Sequence, residues 1–128
     1  MDWIDETVAI GSWIDARCVR ILKREKIDLI IDSRTLFSKK SGMGSNEPDL
    51  DGVYRIVRLM MELAKLNAKV LVFCRHGKDR SPFLVTVYFS KKYGVPCEEA
   101  YRLIMSKRSR TVYHPEWVQM LGSYKKEG

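Results

Sequence analysis

The stretch Cys74-Arg75-His76-Gly77-Lys78-Asp79-Arg80 brings a thiol, a glycine and a guanidinium into one short loop. It follows the apolar run Val70-Leu71-Val72-Phe73 and precedes Ser81-Pro82, which reads as a cap residue and then a proline at the first helical position. A strand that turns tightly into a helix offers unpaired N–H groups and a partial positive charge to an anion. Gly77 lets the backbone turn where a side chain would obstruct it. Arg80 can present a planar fork to two phosphate oxygens, which a lysine cannot reproduce. Arg75, His76, Gly77, Lys78, Asp79 and Arg80 are therefore the candidate phosphate-binding residues, with His76 and Lys78 toward the mouth. The same donors should lower the pKa of Cys74. A thiolate beneath a bound phosphate is placed for in-line attack on phosphorus, which gives a phosphocysteine. Ser81 can hydrogen-bond the sulfur and help it leave. The competing reading is a cysteine that merely packs beside an anion-binding loop, and the strand and helix on either side weigh against it.

The elements that must hold this loop follow from periodicity. A short strand is expected over 8–11, and apolar Ile14, Cys18, Ile21 and Leu22 predict one helix over 14–25. Residues 27–31 are apolar and β-branched and predict a buried strand. Residues 38–48 are rich in Gly, Ser and Lys and read as a mobile loop. Asp49 sits where an N-cap belongs, ahead of a helical stripe of Val53, Ile56, Val57, Met60, Leu63 and Ala64. The helix after the loop should stop at Gly94. Two more helices are expected, about 96–107 and 115–124. This alternation predicts an α/β fold with a central, mostly parallel sheet flanked by helices, in one domain over 1–128.

Composition sets the outer limits. The chain has 128 residues, 45% hydrophobic and 30% charged, which is ordinary for a globular protein. No apolar run reaches the roughly 20 residues of a membrane span, and the acidic start Met1-Asp2-Trp3-Ile4-Asp5-Glu6 lacks a signal-peptide layout. A cytoplasmic monomer is the expectation. The three cysteines match no zinc spacing, and Cys18 and Cys97 read as small buried hydrophobes. No metal and no cofactor is called for. The net charge of +7 favours anionic partners. Lys39-Lys40, Lys91-Lys92 and Lys125-Lys126 read first as solvated basic faces. Trp3, Trp13 and Trp117 read as packing anchors, His114 as a loop residue, and Arg34 as surface charge or a group facing the pocket.

The loop and its flanks resemble the protein tyrosine phosphatase superfamily, specifically its small dual-specificity-like branch, over nearly the whole chain. The carrying segments are Val8-Ala9-Ile10-Gly11-Ser12, the strand over 27–32, Val70-Leu71-Val72-Phe73-Cys74, the stretch from Glu98-Glu99-Ala100 through Arg108, and Pro115 with Gln119-Met120-Leu121. The resemblance implies Cys74 as nucleophile, Arg80 as phosphate ligand and Ser81 as leaving-group assistant. It implies hydrolysis of phosphotyrosine in a phosphorylated protein, with phosphoserine and phosphothreonine as further substrates.

Two residues depart from the family's pattern. Phe73 stands where histidine is usual, which implies a less depressed Cys74 thiol. Gly44 stands where the general acid is expected, and it cannot donate a proton. Asp49 and Asp79 are the first candidates for that role, with Asp51 behind them and Glu47 nearby. Asp49 has a competing role as helix cap, and Asp79 as a partner in a loop-stabilising bond. Gly77-Lys78-Asp79-Arg80 resembles the loops of phosphatases that act on phosphoinositides. His76-Gly77 and a missing acid resemble RNA 5′-triphosphatases, so nucleic acid is admitted as a partner but not favoured. A non-catalytic phosphate-binding module is the alternative from another class.

Overall fold

A computed structural model describes residues 1–39 and 46–124. In chain order the elements are β1 (Asp2–Trp3), β2 (Val8–Ser12), α1 (Trp13–Arg17), α2 (Val19–Arg24) and β3 (Leu29–Asp32), followed by a 3₁₀ turn (Ser33–Leu36). Next come β4 (Phe37–Lys39), β5 (Asn46–Pro48), α3 (Leu50–Lys65), β6 (Val70–Cys74), α4 (Arg80–Tyr93), α5 (Cys97–Lys107) and α6 (Pro115–Ser123). The main sheet has the order β1-β2-β6-β3. β6 runs parallel to both β2 and β3, while β1 is antiparallel to β2.

Register is what makes this sheet a platform. Ser12 stands opposite Cys74, and Asp32 opposite Phe73, so three parallel strands end side by side. Ligands of open α/β sheets gather beyond such carboxyl ends. Val70, Leu71 and Val72 are fully buried, as a central strand covered on both faces must be. One core cluster joins Val70 and Val72 to Val53, Val57 and Met60 of α3, Phe83, Leu84 and Tyr88 of α4, Tyr101 and Ile104 of α5, and Trp117 of α6. Each such apolar side chain contributes roughly 1.5–3 kcal/mol by leaving water. α4 is buried without a break from Ser81 to Tyr88, so the helix that follows the Cys74–Arg80 loop is fixed by the core.

Several expected elements hold. Asp49 caps α3 by accepting from the Gly52 N–H at 3.3 Å. Gly94 ends α4 in the left-handed conformation, with φ 69°.

Others need correction. The single helix expected over 14–25 is two short helices, because Cys18 is extended at φ −90° and ψ 98°. A capping box between Ser12 and Asp15 starts α1, and the break rotates α2 off the stripe that Ile14 began. Ile14 is consequently 65% exposed, and Cys18 and Cys97 are only half-buried. The strand expected to be buried over 27–31 has one partner strand among the described residues, which leaves Leu29 and Ile30 exposed. The loop expected over 38–48 contains paired backbone: β4 and β5 form an antiparallel ribbon with Phe37 opposite Pro48. Phe37 anchors it, with its ring 5.0 Å from Trp117 and 6.1 Å from Phe83. The polar composition hid that pairing. Lys91-Lys92 is not a solvated pair, because Lys92 reaches Asp5 at 3.3 Å and Lys91 lies over the Tyr54 ring. Lys40, Gly44, Lys125 and Lys126 lie outside the described residues. Among the described residues, no helix is long and apolar enough to cross a membrane.

Candidate active site

Cys74 closes β6 and is 2% exposed. The chain then curls through residues 75–79 and enters α4 at Arg80. That is two residues earlier than a Ser81 cap would place it, and Pro82 falls inside the first turn. The reason lies in where the amides go. Ser81 spends its N–H on the Cys74 sulfur at 3.5 Å, and an amide aimed there belongs to the open first turn of a helix.

The loop is held from behind. The Trp13 N–H donates to the Arg75 carbonyl at 3.3 Å, and the Val112 N–H to the Lys78 carbonyl at 2.7 Å. Arg108, 4% exposed, donates from Nε to the Gly77 carbonyl at 2.6 Å and from Nη2 to the His76 carbonyl at 3.3 Å. Its charge is met by Asp2 at 2.7 Å. With these carbonyls drawn outward, the loop amides turn inward. Gly77 must be glycine here: its φ is 68°, and a Cβ would sit 2.6 Å from the Gly11 carbonyl oxygen.

Burial pushes the Cys74 thiol up, but the Ser81 hydroxyl and the amides of Ser81, Gly77 and Arg80 outweigh it and bring the thiol below its ordinary value. This depression occurs with phenylalanine at position 73. Phe73 carries the Arg34 guanidinium 5.3 Å above its ring, and that cation, paired with Asp32 at 2.8 Å, is close enough for Cys74 to feel its charge. Arg34 thus stands at the edge of the site. Arg75, His76 and Lys78 are exposed, while Asp79 and Arg80 are half-buried. A tetrahedral anion over this loop would meet inward amides, a helix N-terminus and a thiolate at its base.

The candidate acids are dispersed. Asp49 is exposed and its contacts run to Gly52 and Leu36. Asp51 accepts from the Tyr124 hydroxyl at the far end of α6. Glu47 lies within β5. Asp79 Oδ1 lies 2.7 Å from His114 Nε2, in hydrogen-bond contact.

The dual specificity phosphatase catalytic domain matches this chain over residues 42–127. The chain belongs to that family.

Similar proteins include phosphatases. The phosphatase domain is 25% identical over 126 residues to the protein-tyrosine-phosphatase IBR5 of Arabidopsis thaliana, covering 94% of this chain and 49% of that one. It is 39% identical over 62 residues to the mouse protein phosphatase Slingshot homolog 1, covering 48% of this chain and 6% of that one. The chain therefore spans about half the length of the first relative and far less of the second. Among solved structures it resembles DUSP15, with a TM-score of 0.80, 20% identity and coverage of 96% and 85%. It resembles PTPMT1 with a TM-score of 0.77, 23% identity and coverage of 98% and 94%. The structural likeness establishes a dual-specificity-like fold.

Three residues of this phosphatase domain escape a sequence reading. His114 is no plain loop residue: it occupies the cap position of α6, stacks on Trp117 at 3.7 Å and bridges Asp79 to Glu116. Arg108 belongs to the segment after α5 and clamps the loop across the sheet. Ser33 is fully buried beyond β3 and touches both Phe73 and Ser81. Only His114 carried a signal, as a polar residue directly before a helix-starting proline.

Proposed function

We propose that this domain hydrolyses phosphotyrosine in proteins, with phosphoserine and phosphothreonine as further substrates, through a phosphocysteine intermediate. The carrying observation is a buried thiol that the loop amides and Ser81 hold below its ordinary pKa, where burial alone would raise it. Cys74 Sγ attacks phosphorus with its thiolate electron pair, the bond to the leaving oxygen breaks, and that oxygen takes a proton. Arg80 and the amides bind the equatorial oxygens as charge develops. Water then attacks phosphorus, and the P–S bond breaks with its electron pair returning to Sγ. Orthophosphate departs, and the water's proton returns to the acid.

For that acid we propose Asp79, supplied by His114. Asp49 is taken up as the cap of α3 by the Gly52 N–H, and Asp51 by the Tyr124 hydroxyl. Asp79 lies on the loop itself and faces a ring that can carry a proton.

A second reading, phosphoinositide hydrolysis, draws support from the exposed cations Arg75 and Lys78, with the half-exposed Arg34, around the loop. A structure of PTPMT1 in complex with PI(5)P is among the similar folds, at 22% identity. Turnover of p-nitrophenyl phosphate, a phosphotyrosine peptide and phosphatidylinositol phosphates, each with wild type and Cys74→Ser, decides between them. The proposal expects peptide turnover that Cys74→Ser abolishes. Turnover confined to the lipid overturns the protein substrate. No turnover of any of the three, or turnover that survives Cys74→Ser, overturns the chemistry.

A further inference from the structure

Ser33 has one hydroxyl proton and two partners. Its Oγ lies 2.9 Å from the Phe73 carbonyl oxygen, which can only accept, and 3.0 Å from the Ser81 Oγ. Ser81 is in the same position, since its hydroxyl meets Ser33 on one side and the Cys74 sulfur on the other. Ser33 and Ser81 are both fully buried, so water cannot supply a missing donor. Two protons must therefore serve three contacts, and two arrangements pass both protons along the chain in one direction, each leaving one end contact without a hydrogen. In one, Ser81 donates to Ser33 and Ser33 donates to the carbonyl. In the other, Ser33 donates to Ser81 and Ser81 donates to the sulfur.

We propose that Ser33 is a positioning residue which withholds the Ser81 proton from Cys74 while the sulfur is neutral or esterified, and releases it when the sulfur becomes a thiolate. The driving force is the stronger hydrogen bond to a charged acceptor, which pulls the chain into its second arrangement. The Phe73 carbonyl then loses its bond from Ser33. The inference rests on the phosphocysteine reading for its purpose, which is to reserve the Ser81 hydroxyl for the thiolate that leaves phosphorus.

The consequence has an unexpected sign. Removing the Ser33 hydroxyl removes the competitor for the Ser81 proton, so the thiolate forms more easily. The measurement is the pH dependence of Cys74 alkylation by iodoacetamide, followed on the Cys74 peptide by mass spectrometry, which separates it from Cys18 and Cys97. Arg80, Arg34, Asp32, Asp15 and the Asp79–His114 pair surround the loop from α4, the 3₁₀ turn, β3, α1 and α6, with Arg108 and Asp2 behind it, and none of them changes between variants. β2 contributes no titratable group.

Ser33→Ala should lower the midpoint by about half to one pH unit, the worth of one neutral hydrogen bond. Ser81→Ala should raise it, and the double variant should match Ser81→Ala alone. An unchanged or raised midpoint in Ser33→Ala overturns the proposal, as does a Ser33 effect of equal size in the Ser81→Ala background. Ser33→Gly repeats the test should the alanine variant fold poorly. Because alkylation needs no turnover, failure of the phosphatase reading leaves this readout intact.

Discussion

At the residue scale, the carboxylates illustrate how one functional group acquires different duties. A carboxylate at a helix start can accept a backbone N–H as its cap, and Asp49 does this for Gly52. Asp79, also a cap by position, makes no cap bond and turns to His114 instead. The difference predicts a split in kinetics. Asp79→Asn should slow a phosphotyrosine peptide by about a hundredfold, because its leaving group needs a proton. It should slow p-nitrophenyl phosphate, whose leaving group is already a stable anion, by less than about tenfold. Asp49→Asn should change both alike, since asparagine caps a helix as well as aspartate does. Equal losses in Asp79→Asn would assign it a structural bond and no more.

At the scale of elements, the phosphate loop is shaped from outside by a residue that follows α5. Arg108 is buried, and removing it strands two carbonyls and frees the loop amides to rotate. Arg108→Met should therefore destabilise the fold by about 2–4 kcal/mol, from the cost of unpaired buried groups. It should also move the Cys74 alkylation midpoint up toward that of an ordinary thiol. Asp2→Asn should cost less, about 0.5–1 kcal/mol, because Asp2 is 43% exposed and solvent screens the pair. Urea unfolding and alkylation on the same samples check both effects. A loss of stability with an unmoved midpoint would show that Arg108 braces the fold without aiming the amides. The β4–β5 ribbon is a further contribution at this scale, since Phe37 ties it to Phe83 just beyond the loop.

At the scale of the whole molecule, one carboxylate fastens the end of the sheet opposite the loop. Asp5 accepts from the N–H groups of Thr7 and Val8 and from the hydroxyls of Tyr88 and Tyr93, each at 2.8 Å, and Lys92 reaches it at 3.3 Å. It joins the β1–β2 turn to α4. Burial raises its pKa, but the bonds from Tyr88, Val8, Thr7 and Tyr93 outweigh that and leave it below the usual carboxylate value. A folded value below the unfolded one means that the contribution is full above about pH 4, the ordinary aspartate pKa, and is lost as pH falls further. Asp5→Asn should therefore cost about 2 kcal/mol at pH 7, given how many bonds it disturbs. The gap from wild type should shrink steadily below about pH 4. Urea midpoints at pH 7 and pH 3 check this, and a gap that stays constant would remove Asp5 from the acid response.

What the sequence by itself determined lies close together along the chain. Cys74, Gly77, Arg80 and Ser81 fall within eight positions between an apolar strand and a helix, so their closeness is set by the local chain. The caps at Asp49 and Gly94 are local in the same way. The contacts that tune the loop are not local. Ser33 meets Ser81 across 48 positions, His114 meets Asp79 across 35, and Arg108 meets Gly77 across 31. Each depends on which strands lie side by side and in what register, and no period or spacing in the chain encodes that. The exposure of Ile14, Leu29 and Ile30 was hidden for the same reason, because a stripe or an apolar run is buried only if a neighbour arrives to cover it. The Cys74–Arg80 loop therefore takes its residues from one adjacent stretch, while the setting of its backbone and protons is decided by the packing of distant ones.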